Sequence, residues 1–542
     1  MGNKARLGLL GAALAACVVI VIACSPDSSE APATATVEKV LRRANIAEPA
    51  TLDPHKAEGV SSNNVLRDLF EGLVTEAPDG TLVAGAAASW SIEQAGTVYR
   101  FTLRPTGRWS DGTSVTAADF VAGFQRTVSP ETNSTYAALL SPIQNATAII
   151  AGEKTVDLLG VNAIDDLTLE ITLTQPTPYF LGLLLTPATY PLHRESFERL
   201  GADFVRPENL ISNGPYKMIS WRIGDRLSVG INPNYWNAEA VAIDRVEFLP
   251  LEDTSVELDL FRAGEVDITS SIPSSQYASI RKTYTDELSI KPLLGTYFLV
   301  FDTTQPPFDD VGLRKALSIA VDRERLADAV LGGANPGAWG YVPPGISGYD
   351  NYVYPWKGIP REAQLTMARE LYAAAGYSQE KPLRIRMFYN TGDNHRKIMI
   401  SVQEMLRENL GVNAEIINQE WKVMLQTRKD FSEWDIMRFG WNGDYQDANT
   451  FLEIFTRDNA LNTAGWDSPR FDQLLADANR ELDLAIRAEM LRKAESYILE
   501  DYPLLPLYYY ASKHLVSSRI TGFSATVMDR IYSQHLDIEV AQ

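Results

Sequence analysis

"PLRIRMFYNTGDNHRKIMISVQEMLRENLGVNAEIINQEW", Pro382–Trp421, decides the fold. "LRIRMFY" alternates as a strand does, and "NTGDN" has turn composition. "HRKIMISVQEMLRENLG" carries Ile398, Val402, Met405, Leu406 and Leu410 at helical spacing, with Gly411 placed to end the helix. "VNAEIINQEW" returns as a strand. Strand, helix and strand of this length make a parallel crossover. Open sheets of that kind take their ligands at the carboxyl ends of the strands, where loops enter helices. His395 falls at such a place.

A second stretch, "WDIMRFGWNGDYQDANTFL" (Trp434–Leu452), extends the same sheet. As a half-buried strand it puts Trp434, Ile436 and Arg438 on one face and Asp435, Met437 and Phe439 on the other. A turn-prone run, Asn442-Gly443-Asp444-Tyr445, follows. A fixed positive charge and a negative charge thus stand six residues apart at the end of a strand. The plain readings are a buried ion pair or a solvated loop, while the place at the end of such a strand points to an interior crevice.

Elsewhere strands and helices are mixed without a short repeat. "YRFTLRP" (Tyr99–Pro105) and "LTLEITLT" (Leu167–Thr174) alternate as half-buried strands. "VTAADFVAGFQRTV" (Val115–Val128) is a helix, with Thr116 and Asp119 spaced close to a capping box. Gly312–Gly333 has helical spacing through Leu313, Leu317, Ala320 and Val321.

The chain has 542 residues, enough for two or three domains. Its net charge of −20, spread along the chain, excludes a general nucleic-acid surface and a basic membrane patch. The N-terminus opens with Lys4 and Arg6, followed by an unbroken apolar run, Leu7–Ala23, as in an export signal; the alternative is a permanent anchor helix. Both cysteines end lipobox-like tetrapeptides, "LAAC" at Cys17 and "VIAC" at Cys24. The polar "SPDSSEAPATAT" after Cys24 suits a tether, so Cys24 is the expected lipidation site and Cys17 the runner-up. A mature chain beginning at Cys24 loses two positive charges and holds no disulfide.

Enzyme signatures are missing. The five histidines, His55, His193, His395, His514 and His535, form no HExxH and no close metal-ligand pair. There is no GxSxG and no GxxxxGK[ST]. A distant carboxylate pair, as in a secreted glycosidase, stays open among 69 acidic residues. Ten Trp and 23 Tyr suit a sugar cleft, an apolar pocket or large cores alike.

From about Val40 to the C-terminal region the chain resembles the oligopeptide-binding proteins of bacterial peptide ABC importers (extracellular solute-binding protein family 5). The resemblance rests on the order and spacing of "EPATLDPHKAEGV" (48–60), "DLFEGL" (68–73), "WSDGTSVTAADF" (109–120), "NGPYKMISW" (213–221), "NPNYWN" (232–237), "PPFDDVGLRKALSIAVDR" (306–323), "YNTGDNHRK", "NLGVNAEIINQEWK", "RFGWNGDY" and "PLYYYASKHLV" (506–516). It implies an α/β, two-lobed periplasmic-binding-protein-like fold of the type II, three-domain, peptide-binding subclass, whose lobes close over the ligand. The implied division is a signal peptide over 1–23, a lipidated tether over 24–38, domain I over 39–70, 196–294 and 512–542, domain II over 71–195, and domain III over 295–511.

The resemblance also implies roles. Asp444 pairs with a peptide's α-ammonium, while Arg438 and His395 meet its C-terminal carboxylate. Glu58 and Val60 form the strand that meets the peptide backbone. Tyr136, Trp421, Gly440, Trp441, Asn442 and Tyr510 line the cleft and its side-chain pockets. The chain departs from relatives at Leu331, where some carry lysine, and at Ala448, where they carry proline; both bear on the ligand range. The expected protein is a non-catalytic, monomeric, extracytoplasmic lipoprotein. It needs no cofactor or metal and binds no nucleic acid. It delivers short peptides to a permease with cytoplasmic ATPases. The alternatives are a receptor for dipeptides, cell-wall peptides or a non-peptide solute, a secreted hydrolase, and a scaffold.

Overall fold

A computed structural model describes residues 38–430 and 433–539, with backbone alone for Asp393 and Lys422. The expected signal peptide, tether, Cys17 and Cys24 lie outside the described residues. The described residues from 39 on form one compact unit, built on three principal sheets.

The decisive stretch folds as its pattern dictates. Arg384–Asn390 and Asn413–Gln419 are parallel strands joined by the helix Asp393–Leu410. Ile398, Val402, Met405, Leu406 and Leu410 are all buried. Gly411 ends the helix in the left-handed region (φ 76°), donating its N–H to Arg407 O. The helix starts two residues earlier than the turn composition of "NTGDN" suggests, so His395 sits in its first turn. Ile436–Asn442 joins the same sheet, parallel to Arg384–Asn390. Two long strands, Leu288–Phe301 and Leu504–Leu515, complete it in antiparallel pairing.

The alternating pattern of 434–439 does not mean a half-buried strand. Trp434, Ile436 and Met437 are all buried, because both faces of this sheet are covered. Phe439 packs against Phe298, whose ring centre is 5.2 Å away, on the face opposite Arg438.

The other sheets belong to the first lobe. One orders Val40–Ala44, Arg245–Leu249, Arg226–Ile231 and Tyr216–Arg222; the other orders Ala87–Glu93, Val98–Leu103, Thr168–Thr172 and Val161–Ala163. The strands expected from "YRFTLRP" and "LTLEITLT" pair here, with Phe101 opposite Leu169. The helix Ala117–Val128 has its capping box: Asp119 Oδ2 accepts from Thr116 N at 2.9 Å and from Thr116 Oγ1 at 3.0 Å.

Two large hydrophobic cores follow, one under each lobe. Leu288–Phe301 and Leu504–Leu515 give one of these cores residues such as Phe298, Phe301, Leu504 and Leu507, while Leu515 packs in a third, smaller cluster. Their register slips between Pro292 and Thr296, beside Leu294 and Gly295.

Gly312–Gly333 is two helices, Val311–Ala320 and Arg323–Leu331. Asp322 caps the second by accepting from Arg325 N. Arg323, fully buried, donates to Ser318 O at 3.0 Å and Val321 O at 3.3 Å, carbonyls left over at the end of the first. Periodicity carries through the break, so spacing alone does not reveal it.

Leu406→Ala, which empties the centre of the crossover helix's buried stripe, should cost about 3 kcal/mol. Denaturant unfolding at equilibrium checks this.

Candidate functional site

The carboxyl ends of Arg384–Asn390, Asn413–Gln419 and Ile436–Asn442 lie side by side, and the sequence-predicted residues of the second lobe gather there. Arg438 points along its strand over Gly440. A Cβ at Gly440 would fall 2.6 Å from the Tyr510 hydroxyl and 3.1 Å from Arg438 Nη2. Glycine is therefore what lets the guanidinium and the phenol meet. Tyr297 stands opposite Gly440 in the sheet; its ring underlies the guanidinium at 4.7 Å. Arg438 donates to Asn390 Oδ1 at 3.2 Å and to Tyr510 Oη at 3.3 Å.

No carboxylate among the described residues lies within ion-pair distance of Arg438. Asp444 is not its partner. The Asp444 backbone N–H donates to Thr450 Oγ1 at 3.1 Å, and its carboxylate is open to solvent and meets no cation among the described residues. Surrounding protein nevertheless desolvates the carboxylate and raises its pKa above the ordinary range. The two charges are thus both unspent.

His395 stacks obliquely beside Tyr297, ring centres 5.6 Å apart. Burial, and then the charge of Arg438, lower its pKa to about 4, so it is neutral at neutral pH. Its Nδ1 is buried without a partner, as are Arg438 Nε, Gln419 Oε1 and Trp441 Nε1. Polar atoms left unpaired inside a protein are costly; those of Arg438, His395 and Gln419 stand on or just after strand ends of this sheet.

Trp421 is 47% exposed at the start of Trp421–Thr427, so it is not a core aromatic. With Met424, Leu425, Arg428 and Phe439 it lines a small cleft beside Arg438 and Gly440. Tyr510 is half-buried, Trp441 packs on the second core and Asn442 is exposed.

Glu58, Val60 and Tyr136 lie on the first lobe. The expected strand at Glu58–Val60 is not there. Glu58 is extended (φ −120°, ψ 154°) but precedes the helix Gly59–Leu69, and Val60 is in that helix's first turn, 51% exposed. The strand was implied by the resemblance alone; Gly59 at φ 79° starts a helix instead. Thr135 donates to the Glu58 carboxylate, which places Tyr136 next to it. Among the described residues, no hydrogen bond or ion pair joins these three to Arg438, His395 or Asp444. Leu331 ends its helix, and Ala448 is buried just before Asn449–Leu452.

Sequence reasoning missed Tyr297, Asn390, Gln419 and Arg428. Asn390 and Gln419 end strands at the ligand edge, and that position was the available signal. Tyr297, inside the apolar run "YFLVF", gave none. Arg428 lies over Phe439 at 5.9 Å, and burial lowers its pKa.

Residues 81–463 match the model of bacterial extracellular solute-binding proteins, family 5, and the chain belongs to that family. The class is one of binding proteins and places the folded chain outside the cytoplasm. The chain is 37% identical over 517 residues to the periplasmic oligopeptide-binding protein OppA of Escherichia coli, covering 94% of this chain and 95% of OppA. Among solved structures it is similar to the unliganded open form of the periplasmic murein tripeptide-binding protein MppA (36% identity; 93% and 98% of the two chains; TM-score 0.86). Haemophilus influenzae OppA in complex with the peptide RPPGFSPFR matches at TM-score 0.73 (35% identity; 93% and 99%).

The electrostatics make a prediction. The His395 imidazole should titrate near pH 4 in the ligand-free protein, and Arg438→Gln should move it up towards the ordinary value of about 6.5, as read by NMR of the histidine ring.

Proposed function

We propose that this chain is the substrate-binding lipoprotein of an ABC importer, anchored through Cys24, that captures short peptides between its lobes and hands them to the membrane permease. One observation carries the reading. A cation without an acid, Arg438, and an acid without a cation, Asp444, stand at the two ends of one strand and its loop. A peptide of arbitrary sequence offers three constant features: backbone, ammonium and carboxylate. A desolvated carboxylate facing the ammonium is worth far more than the same pair in water, and an arginine fork suits the carboxylate.

The spacing sets a length. The Arg438 guanidinium reaches along its strand over Gly440; the strand ends at Asn442, so the four residues on to Asp444 span less than the about 13 Å of a fully extended chain. Between those contacts there is room for about two to three residues. His395, at a helix start with free N–H donors, offers a second carboxylate position for a longer peptide. Trp421, Trp441, Asn442 and Tyr510 supply side-chain walls, and Glu58, Val60 and Tyr136 close the cleft from the first lobe. The three-domain division with discontinuous domain I belongs to this proposal.

The ligand contributes no chemistry and undergoes none. Closure follows because contacts from both lobes exist together in the closed state alone, so a peptide shifts the population by its differential affinity. Similarity to an unliganded open form supports taking the present arrangement as the open one.

Calorimetry tests the ammonium role. Asp444→Asn should weaken a free-amine tripeptide by at least about 100-fold, the size of a charge-assisted contact of about 3 kcal/mol, while the fold stays intact. N-acetylation of the peptide should do the same to the wild type. Equal affinity in either comparison would remove the assignment. The pH dependence has a sign: Asp444 binds an ammonium only when ionised, so affinity should fall on acidification, starting at a higher pH than an ordinary carboxylate would give.

A further inference from the structure

Three acids, Asp444, Asp447 and Glu453, belong to the loop and short helical turn that follow the strand Ile436–Asn442. Their charges are met unequally. Arg487, from the helix Leu484–Asp501, holds Asp447 with two bonds of 2.6 and 2.9 Å. Glu453 has no ion pair among the described residues. Its Oε1 accepts from the Tyr445 hydroxyl at 3.1 Å and its Oε2 from Asn449 Nδ2 at 3.0 Å, and both donors are neutral.

Glu453 and Asp444 are fastened to the same turn. The Asp444 N–H donates to Thr450 Oγ1 at 3.1 Å. Thr450 and Glu453 are three residues apart on a continuous helical stretch, Asn449–Leu452 running into Glu453–Phe455, so they are neighbours on one face of it. Glu453 is half-buried, while the Asp444 side chain is open to solvent. Two carboxylates without a cation thus lie at different depths of one short segment.

The surroundings of Glu453 suit both of its protonation states. Facing it are Asp444, Tyr445 and Asp447 on its own segment and Tyr179 on the first lobe. Tyr179 stacks on Tyr445 with ring centres 4.6 Å apart, and burial keeps both phenols protonated. Arg487, already engaged with Asp447, stands over the Tyr179 ring at 5.7 Å. Asn449 Nδ2 bridges the Tyr445 oxygen, at 2.8 Å, and Glu453, whereas Asn449 Oδ1 is buried without a partner. The amide donates to an ionised Glu453; turned over, it would offer Oδ1 to a protonated one. Burial, opposed by the Tyr445 hydrogen bond and reinforced by Asp444, brings the carboxyl to about 7. Both forms are therefore populated at neutral pH.

We propose that Glu453 gives up a proton when an ammonium binds at Asp444. The incoming charge offsets Asp444 and favours the ionised form of its neighbour; the Glu453 O–H bond breaks and the proton passes to solvent. The bound cation then meets the field of two carboxylates instead of one. Glu453 acts through Asp444, without touching the ligand, and couples capture to pH. The inference rests on the reading of Asp444 as the ammonium site.

Calorimetry of a free-amine tripeptide binding to the full chain, at neutral pH in buffers of different ionisation enthalpy, counts the protons. The wild type should release up to about half a proton per peptide, and Glu453→Gln should release none. The pH profile has a sign. At acid pH Glu453 is neutral with or without peptide and adds nothing; at alkaline pH it is ionised throughout and adds its full attraction. The ratio of wild-type to Glu453→Gln affinity should therefore rise about five-fold between about pH 6 and about pH 8. Wild-type heats that do not depend on the buffer would overturn the inference. So would proton release that persists in Glu453→Gln, or a deficit in that variant that is the same at every pH, the mark of a purely structural role. Wild-type protein that takes up no peptide would refute the ammonium reading itself, and the inference with it.

Discussion

The structure depends on keeping two opposite charges apart. Arg438 and Asp444 are six residues from each other in sequence, and a flexible segment would let them pair. The strand Ile436–Asn442 prevents that. It is hydrogen-bonded on both edges, to Arg384–Asn390 and to Leu288–Phe301, and Ile436 and Met437 are buried on its two faces. Tyr297 beneath the guanidinium and Asn390 and Tyr510 at its edges hold Arg438 in place without neutralising it. Tyr445, anchored in the first lobe's core, fixes the loop that bears Asp444. An unpaired charge near a low-dielectric interior is unfavourable. The fold tolerates two because each remains partly open to solvent.

Glu453 shows the same loop from its inner side. Burial, reinforced by the nearby charges of Asp444 and Asp447, raises its carboxyl to about 7 against the hydrogen bonds from Tyr445 and Asn449. Three acids therefore share this loop, and Arg487 is committed to Asp447. The local field favours an incoming cation, which agrees with an ammonium at Asp444. At the opposite end stand Arg438 and a neutral His395, each with a buried nitrogen that lacks a partner. The crevice is polarised from end to end, as a zwitterionic ligand requires.

Much of this was legible in the sequence. The crossover at Pro382–Trp421 was readable because period, length and a terminal glycine agree. The Thr116–Asp119 box was readable because its chemistry is local. Arg438 and Asp444 could be singled out as a pair of charges, but only the structure separated two unspent charges from an internal bridge. What stayed hidden was tertiary. The break at Val321 depends on Arg323 finding carbonyls and aromatic rings that spacing does not reveal. The helical start at Gly59 stands where the resemblance implied a strand. Tyr297 looked like any core aromatic until its register with Gly440 placed it under the guanidinium.

The most direct test of the account is a crystal structure of the protein with a bound tripeptide. The account predicts the α-ammonium within hydrogen-bond distance of the Asp444 carboxylate and the terminal carboxylate on Arg438, with the backbone running along the strand between them. A tripeptide bound in the reverse direction, or held with Arg438 and Asp444 turned to each other and away from its ends, would contradict it.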